Sequence, residues 1–444
     1  MKEGFIVVQG ERPMAHIRSD DGYLVSKGYA HYIFVLLFLL YMFDWLDRMV
    51  VVSLFPFIKA DWGLTDTQCG MLISAVSWSI VVLTFPVSVF IDRWSRKKSI
   101  GLMALLWSLA TAACAFTRNY VQLFVARTVI GVGEAGYAPG GTAMISALFP
   151  EKKRAKIMGL WNASIPLGSA IGIAVGGLIA EQLGWRHAFG LVALPGMVVA
   201  VLMFRVRDYK SVELIRTTKD HTGMGEQKRM KSEDMVREFT RTPSLLFTYL
   251  GFAGSMFANT ALLTWLPTYF HRMDGIPMSR AGVKGGLVML LAIVGAPLGG
   301  YLADKWLQRR INGRLLFVAL SSAISCVLMF AAFALFSGLS QYACLLLGGV
   351  SAAAFVPGAA AVTQDVVHPG LRAISYSFCV IIQHILGSAL GPIFVGNISD
   401  RYGIDVAMTI LPFAYLVAAG MFFSGSFFYN HDLEKAEKAV LEIE

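Results

Sequence analysis

Five ionisable side chains stand where the surrounding sequence is apolar. Asp44, Asp47 and Arg48 fall in Tyr41-Met42-Phe43-Asp44-Trp45-Leu46-Asp47-Arg48, and Arg127 and Glu134 fall in a second apolar stretch. Asp44 and Arg48 are four residues apart and Arg127 and Glu134 seven, so on helices each pair shares a face. An ionisable group inside a membrane costs roughly 3 kcal/mol or more, and its retention points to function. Three acids against two bases leave a surplus carboxylate. A carboxyl group taken out of water without a dedicated cation holds its proton more tightly, so this set suits proton binding. Glu134 is the first candidate, since Gly131, Gly133 and Gly136 let another helix or a substrate approach closely. Arg48 and Arg127 could pair in turn with an acid or with an anionic substrate. The plainer alternative is a permanent network pinning one helix to another.

The later half of the chain carries far less buried charge. His384 beside Gln383 is its one ionisable group in mid-stretch, with Asn259, Thr260, Gln364 and Asp365 as polar company. Arg48, Tyr137, Asn259, Gln383 and His384 are therefore the candidate substrate contacts. Two further sets, Asp92 with Arg93 and Asp304 with Lys305, sit at the ends of apolar blocks in similar Asp-basic turns. They read as a latch at one membrane face.

The elements that must position these groups are transmembrane helices. With 56% hydrophobic residues, 15% charged and a mean hydropathy of +0.60, the chain is too apolar for a soluble domain. Its apolar residues come in blocks of about 20, the length that crosses a bilayer as a helix with its backbone satisfied internally. We expect crossings near 31–57, 67–91, 99–117, 120–148, 156–180, 187–204, 245–270, 283–303, 314–336, 340–364, 374–398 and 405–428. The chain then divides into a tail (1–30), a six-helix bundle (31–204), a polar linker (205–243), a second bundle (244–429) and a closing tail (430–444). Gly168, Gly172 and Gly176 recur every four residues, giving a smooth stripe for close packing. Lys and Arg concentrate in alternate loops, the rich set outnumbering the poor roughly three to one, which places both termini in the cytoplasm.

Other function classes find little support. The net charge of +9 is spread over alternate loops rather than one face, unlike a nucleic-acid surface. The five cysteines (Cys69, Cys114, Cys326, Cys344 and Cys379) and the eight histidines are dispersed, with no metal-ligand or disulfide pattern. A nucleophile with its base, or a phosphate loop, is absent from the sequence, so neither an enzyme nor ATP-driven transport is expected. A proton gradient needs no cofactor.

The Asp-basic turns Phe90-Ile91-Asp92-Arg93-Trp94 and Gly300-Tyr301-Leu302-Ala303-Asp304-Lys305 resemble the signature loop of the major facilitator superfamily, with Ser88 and Ser95 in place of its glycines in the first copy. That resemblance implies an all-α polytopic fold of twelve transmembrane helices in two pseudo-symmetric six-helix bundles, working by alternating access. Leu46-Asp47-Arg48, Arg127, Gly131-Val132-Gly133-Glu134-Ala135-Gly136-Tyr137 and Ile165-Pro166-Leu167-Gly168-Ser169 look like the Spinster group. The likeness implies proton-linked movement of lysolipids or related amphiphiles, with Asp47, Arg48 and Glu134 coupling. The anion:cation symporter group, which moves sugar acids and other organic anions, shares Asp47-Arg48, the Gly-Glu-Ala run and Gly184-Trp185-Arg186. The expectation is a monomeric proton-coupled transporter of a bacterial inner membrane, touching lipids and a small or lipid-like substrate.

Overall fold

The computed structural model describes residues 25–93, 96–207, 239, 241–367 and 371–441. Most of the polar segment expected as a linker therefore lies outside the described residues. The first half comprises α1 (Lys27–Trp62), α2 (Asp66–Arg93), α3 (Arg96–Cys114), α4 (Tyr120–Glu134), α5 (Tyr137–Leu148), α6 (Glu151–Asn162), α7 (Ser164–Leu183) and α8 (Trp185–Phe204). The second half comprises α9 (Pro243–Met273), α10 (Met278–Leu290), α11 (Ala292–Leu307), α12 (Gly313–Ala334), α13 (Gly338–Asp365), α14 (Arg372–Ile382), a π-helical turn (Gln383–Ser388), α15 (Leu390–Tyr402), α16 (Ile404–Ile410) and α17 (Phe413–Leu441). Joined end to end where they are collinear, these make twelve crossings, six in each half. Among the described residues nine stretches cross on length and composition alone.

Five expected crossings turn out to be broken rather than continuous, the twelfth at Leu411 and Pro412 between α16 and α17. The fourth divides after Glu134, where Ala135 and Gly136 separate α4 from α5. In the fifth, Pro166 lacks the N–H that would bond the carbonyl of Asn162, and α6 gives way to α7 there. The eighth runs longer than expected, Met278 to Leu307, and divides at Leu291. The eleventh absorbs Pro392 with the π-helical turn one turn earlier.

The expected glycine stripe packs against α1. A Cβ at Gly172 would come 2.6 Å from the Leu46 carbonyl oxygen, and one at Gly176 would meet Ser53 Oγ at 2.5 Å. The backbone of α7 therefore lies directly on the helix that carries Asp44, Asp47 and Arg48. Gly172→Ala should lower the apparent melting temperature of the purified protein by overpacking this seam. Gly159→Ala, where an added Cβ meets nothing within 4 Å, should leave it unchanged or raise it. A thermal shift assay in detergent separates the two.

Candidate functional site

Helical spacing on α1 puts Arg48 one turn beyond Asp44, and the end of α4 brings Glu134 to the same guanidinium. Arg48 Nη2 lies 3.4 Å from Asp44 Oδ2 and 2.8 Å from Glu134 Oε2. The side chains of Asp44 and Glu134 are 2% and 0% exposed, and that of Arg48 is 15% exposed. The guanidinium also stacks over the Trp45 ring at 4.8 Å. The contact with Glu134 is an ion pair without hydrogen-bond alignment. Arg48 Nε, Asp44 Oδ1 and both Glu134 oxygens are buried with no hydrogen-bond partner. Asp47 is fully buried beside Thr111, and its two oxygens likewise accept no hydrogen bond. Such a concentration of unsatisfied polar atoms marks a place built for something besides stability.

Arg127 behaves differently from the expectation that it would alternate between partners. It is 1% exposed, and it donates to the carbonyls of Leu72 (3.3 Å), Asp47 (3.2 Å) and Arg48 (3.1 Å). A guanidinium with its donors spread over main-chain oxygens holds α4 against α1 and α2 as a staple. Arg48 is thus the guanidinium in direct contact with the acids, whereas Arg127 reaches the carboxylates of Asp47 and Glu134 only through the field of its charge.

From the second half, the π-helical turn presents Gln383 and His384. Gln383 Oε1 and His384 Nδ1 are buried without a hydrogen-bond partner, and His384 lies close enough to Arg48 to interact with it electrostatically. The π turn shifts the side-chain register and so re-aims both residues. Two other expected substrate contacts do not join them. Tyr137 is 1% exposed, donates to the Leu37 carbonyl (2.5 Å) and packs edge-on to Trp107, so it belongs to the core of the first half. Asn259 donates to the Ala352 carbonyl (3.1 Å) and accepts from Tyr415 (2.6 Å), so its polar atoms are taken within the second half.

The described residues of the expected latch bond within the second half. Asp304 pairs with Arg314 at 2.7 Å, Arg314 reaches Asp365 at 2.5 Å, and Tyr429 donates to Asp365 at 3.0 Å. All four lie in the second half, and they fasten its own helices together. Lys305 reaches the Tyr301 ring at 5.9 Å. The side chains of Asp92 and Arg93 lie outside the described residues.

The halves are instead joined at the opposite face from the termini, by residues the sequence reading missed. Asp66, at the start of α2, is 2% exposed, receives two bonds from Arg272 at 2.7 Å each, and also contacts Lys59 and Ser399 (2.6 Å). Asp400 accepts from the backbone N–H groups of Asp66 (2.7 Å) and Thr67 (2.8 Å), and so caps α2 from the other half. Glu181 accepts from the N–H (2.9 Å) and hydroxyl (2.7 Å) of Ser279, and Ser74 Oγ donates to the Ala389 carbonyl. A Cβ at Gly70 would meet the Pro392 carbonyl oxygen at 2.5 Å, so the two backbones are in direct contact. Phe55 and Trp265 meet ring to ring at 5.4 Å between this seal and Arg48. The hydrogen bonds and ion pairs described between the halves all fall on this side. An acid in the first turn of α2 was legible in the sequence; its partnership with Arg272, 206 residues away, was not.

The Major Facilitator Superfamily profile matches residues 37–392, most of the chain. The chain belongs to the major facilitator superfamily. A hexuronate transporter of Bacillus subtilis is 27% identical over 397 residues, covering 88% of this chain and 91% of that protein. Protein spinster homolog 1 of Xenopus laevis is 24% identical over 439 residues, covering 91% and 82%. A crystal structure of a bacterial homologue of the human lysosomal transporter Spinster, inward-facing and unoccupied, superposes with a TM-score of 0.80 at 21% identity, covering 92% of this chain and 99% of that one. This transporter therefore has the twelve-helix fold that its sequence suggests, and it is an integral membrane transporter rather than an enzyme. The Gly184-Trp185-Arg186 run clamps two crossings of the first half, since Trp185 (3.1 Å) and Arg186 (2.8 Å) both donate to Asp61.

Native Cys69, buried one turn from Asp66, reports on the seal. In a variant keeping Cys69 alone, Asp66→Asn removes the charge that Arg272 and Lys59 share and leaves them facing each other. A membrane-impermeant maleimide should then label Cys69 at least about tenfold faster, as expected for breaking a largely buried ion pair. Equal labelling rates would show that the seal does not depend on Asp66.

Proposed function

We propose that this transporter couples the movement of an organic anion to protons by alternating access, with Arg48 as the substrate's counter-ion. The observation that carries this reading is one largely buried guanidinium touching two buried carboxylates, with a third acid nearby and His384 within its electrostatic reach. While Asp44 and Glu134 are charged, they occupy Arg48 and repel an anion. Protonating Glu134 removes one of these competitors and frees the guanidinium to pair with a carboxylate or phosphate. Proton binding and anion binding then favour each other, which is the thermodynamic content of coupling. Asp47 sits next in the chain of charge and relays this state to α3 through Thr111.

The loops rich in Lys and Arg put the terminal face in the cytoplasm of a bacterial inner membrane. The sealed face is then the outer one. In this scheme the bundles 31–204 and 244–429 rock about the central site as two bodies, within a single chain and with no cofactor beyond the proton gradient.

The polarity of the site favours a small hydrophilic anion such as a sugar acid. Gln383 Oε1, His384 Nδ1 and Arg48 Nε are buried and unpartnered, and a polyhydroxylated carboxylate offers groups for all of them. The hexuronate transporter among its relatives supports this choice. A lysolipid-like anion is the second reading, favoured by the Spinster relatives and by the Ile165-Pro166-Leu167-Gly168-Ser169 run. Competition between the two classes for purified transporter decides between them.

In proteoliposomes, Glu134→Gln should lose uptake driven by a pH gradient while retaining exchange of substrate across the membrane. Arg48→Gln should lose both. Unchanged dependence on the gradient in Glu134→Gln would remove the proton role from that residue.

A further inference from the structure

Away from the central site, a groove of about 550 Å³ runs along the lipid-facing side of the seam between the halves. Ala174, Val175 and Leu178 of α7 form one wall, and Val283 and Leu287 of α10 form the other. At its mouth stand Arg280, Lys284 and Tyr342. α10 begins at Met278 on the sealed face, so at 1.5 Å per residue Arg280 lies about 3 Å and Leu287 about 13 Å along the helix. Arg280 thus stands at headgroup depth and Leu287 at acyl-chain depth.

The charges at the mouth are already committed, with one exception. Lys284 pairs with Asp274 at 2.6 Å and stacks over Phe270 at 4.2 Å. Glu181 accepts from Ser279 through both oxygens. Arg280 is exposed, and no hydrogen bond or ion pair engages its guanidinium among the described residues. A guanidinium is shaped for bidentate binding of a phosphate.

We infer that this groove is a binding site for a phospholipid of the surrounding leaflet, its phosphate on Arg280 and one acyl chain between Leu178 and Val283. The volume falls within the range of small-molecule sites, and the walls of Ala174, Val175, Leu178, Val283 and Leu287 are apolar. The site is independent of the central one and of any particular cargo. It also senses conformation. Its two walls are held together by the close approach of α7 and α10, where a Cβ at Gly282 or at Gly286 would come 3.0 Å from Ile173 or Ala170. Opening the sealed face parts these helices and dismantles the groove. A bound phospholipid therefore favours the sealed state, by as much as its affinity differs between the two.

Native mass spectrometry of the delipidated, detergent-solubilised transporter provides the test, with phosphatidylglycerol as the probe and diacylglycerol and inorganic phosphate as comparisons. Wild type should retain one tightly bound phosphatidylglycerol and neither comparison compound. Arg280→Gln should weaken binding about tenfold, the loss expected for a charge-assisted contact. Leu178→Trp, which fills the groove and leaves the headgroup cations intact, should abolish it. In the variant keeping Cys69 alone, added phosphatidylglycerol should slow maleimide labelling. Unaltered phosphatidylglycerol binding in both substituted proteins would overturn the proposal, and so would equal retention of diacylglycerol. Loss of transport in Glu134→Gln has no bearing on this result, so the two proposals fail separately.

Discussion

One guanidinium held between two carboxylates inside an apolar bundle constrains everything around it. At 2.8 and 3.4 Å the attractions within the triad of Arg48, Glu134 and Asp44 are strong only because water is largely excluded, and the same exclusion makes the leftover negative charge costly. A buried ion pair chosen for stability alone would be matched one to one, with its remaining donors and acceptors satisfied. This one is neither. The arrangement can be completed from outside the protein, by a proton on a carboxyl group or by an anion on the guanidinium. That openness to two ligands is what a coupled carrier needs.

The fold invests heavily in keeping the triad where it is. Glycines on α7 bring its backbone onto α1, so the helix bearing Asp44, Asp47 and Arg48 has little room to rotate. Arg127 fastens α4 to α1 and α2 through three carbonyls, including those of Asp47 and Arg48 themselves. The first half is thus a rigid holder for charge. The second half brings polarity through a π-helical turn, an element with weaker internal bonding and a shifted register.

Between the halves the contacts are of another kind. The seal is made of charged and hydrogen-bonded residues near one face, centred on Asp66, Arg272 and Asp400, over backbone contacts at positions such as Gly70. Bonds of this sort exchange readily for water when the face opens, whereas an interdigitated apolar seam of equal area would not. The lipid-facing groove between α7 and α10 lies along the same seam.

Much of this protein was determined by its amino-acid sequence in isolation. Apolar blocks of bilayer length require helices, because an unpaired backbone is too costly in lipid, and Lys and Arg placement orients them. Asp44, Asp47, Arg48, Arg127 and Glu134 were conspicuous for the same reason, since charge in such blocks carries its own cost. Spacing of four residues even paired Asp44 with Arg48 correctly. Tertiary structure decided the rest. Whether Arg127 meets acids or carbonyls depends on how α4 lies against α1, and Tyr137 and Asn259 turned inward to satisfy hydroxyl and amide groups within their own halves. Asp304 found Arg314 in its own half. The contact between Asp66 and Arg272 joins residues whose local sequences carry no sign of each other, because ion pairing is set by distance in space, and only the packing of two six-helix bundles brings those charges together.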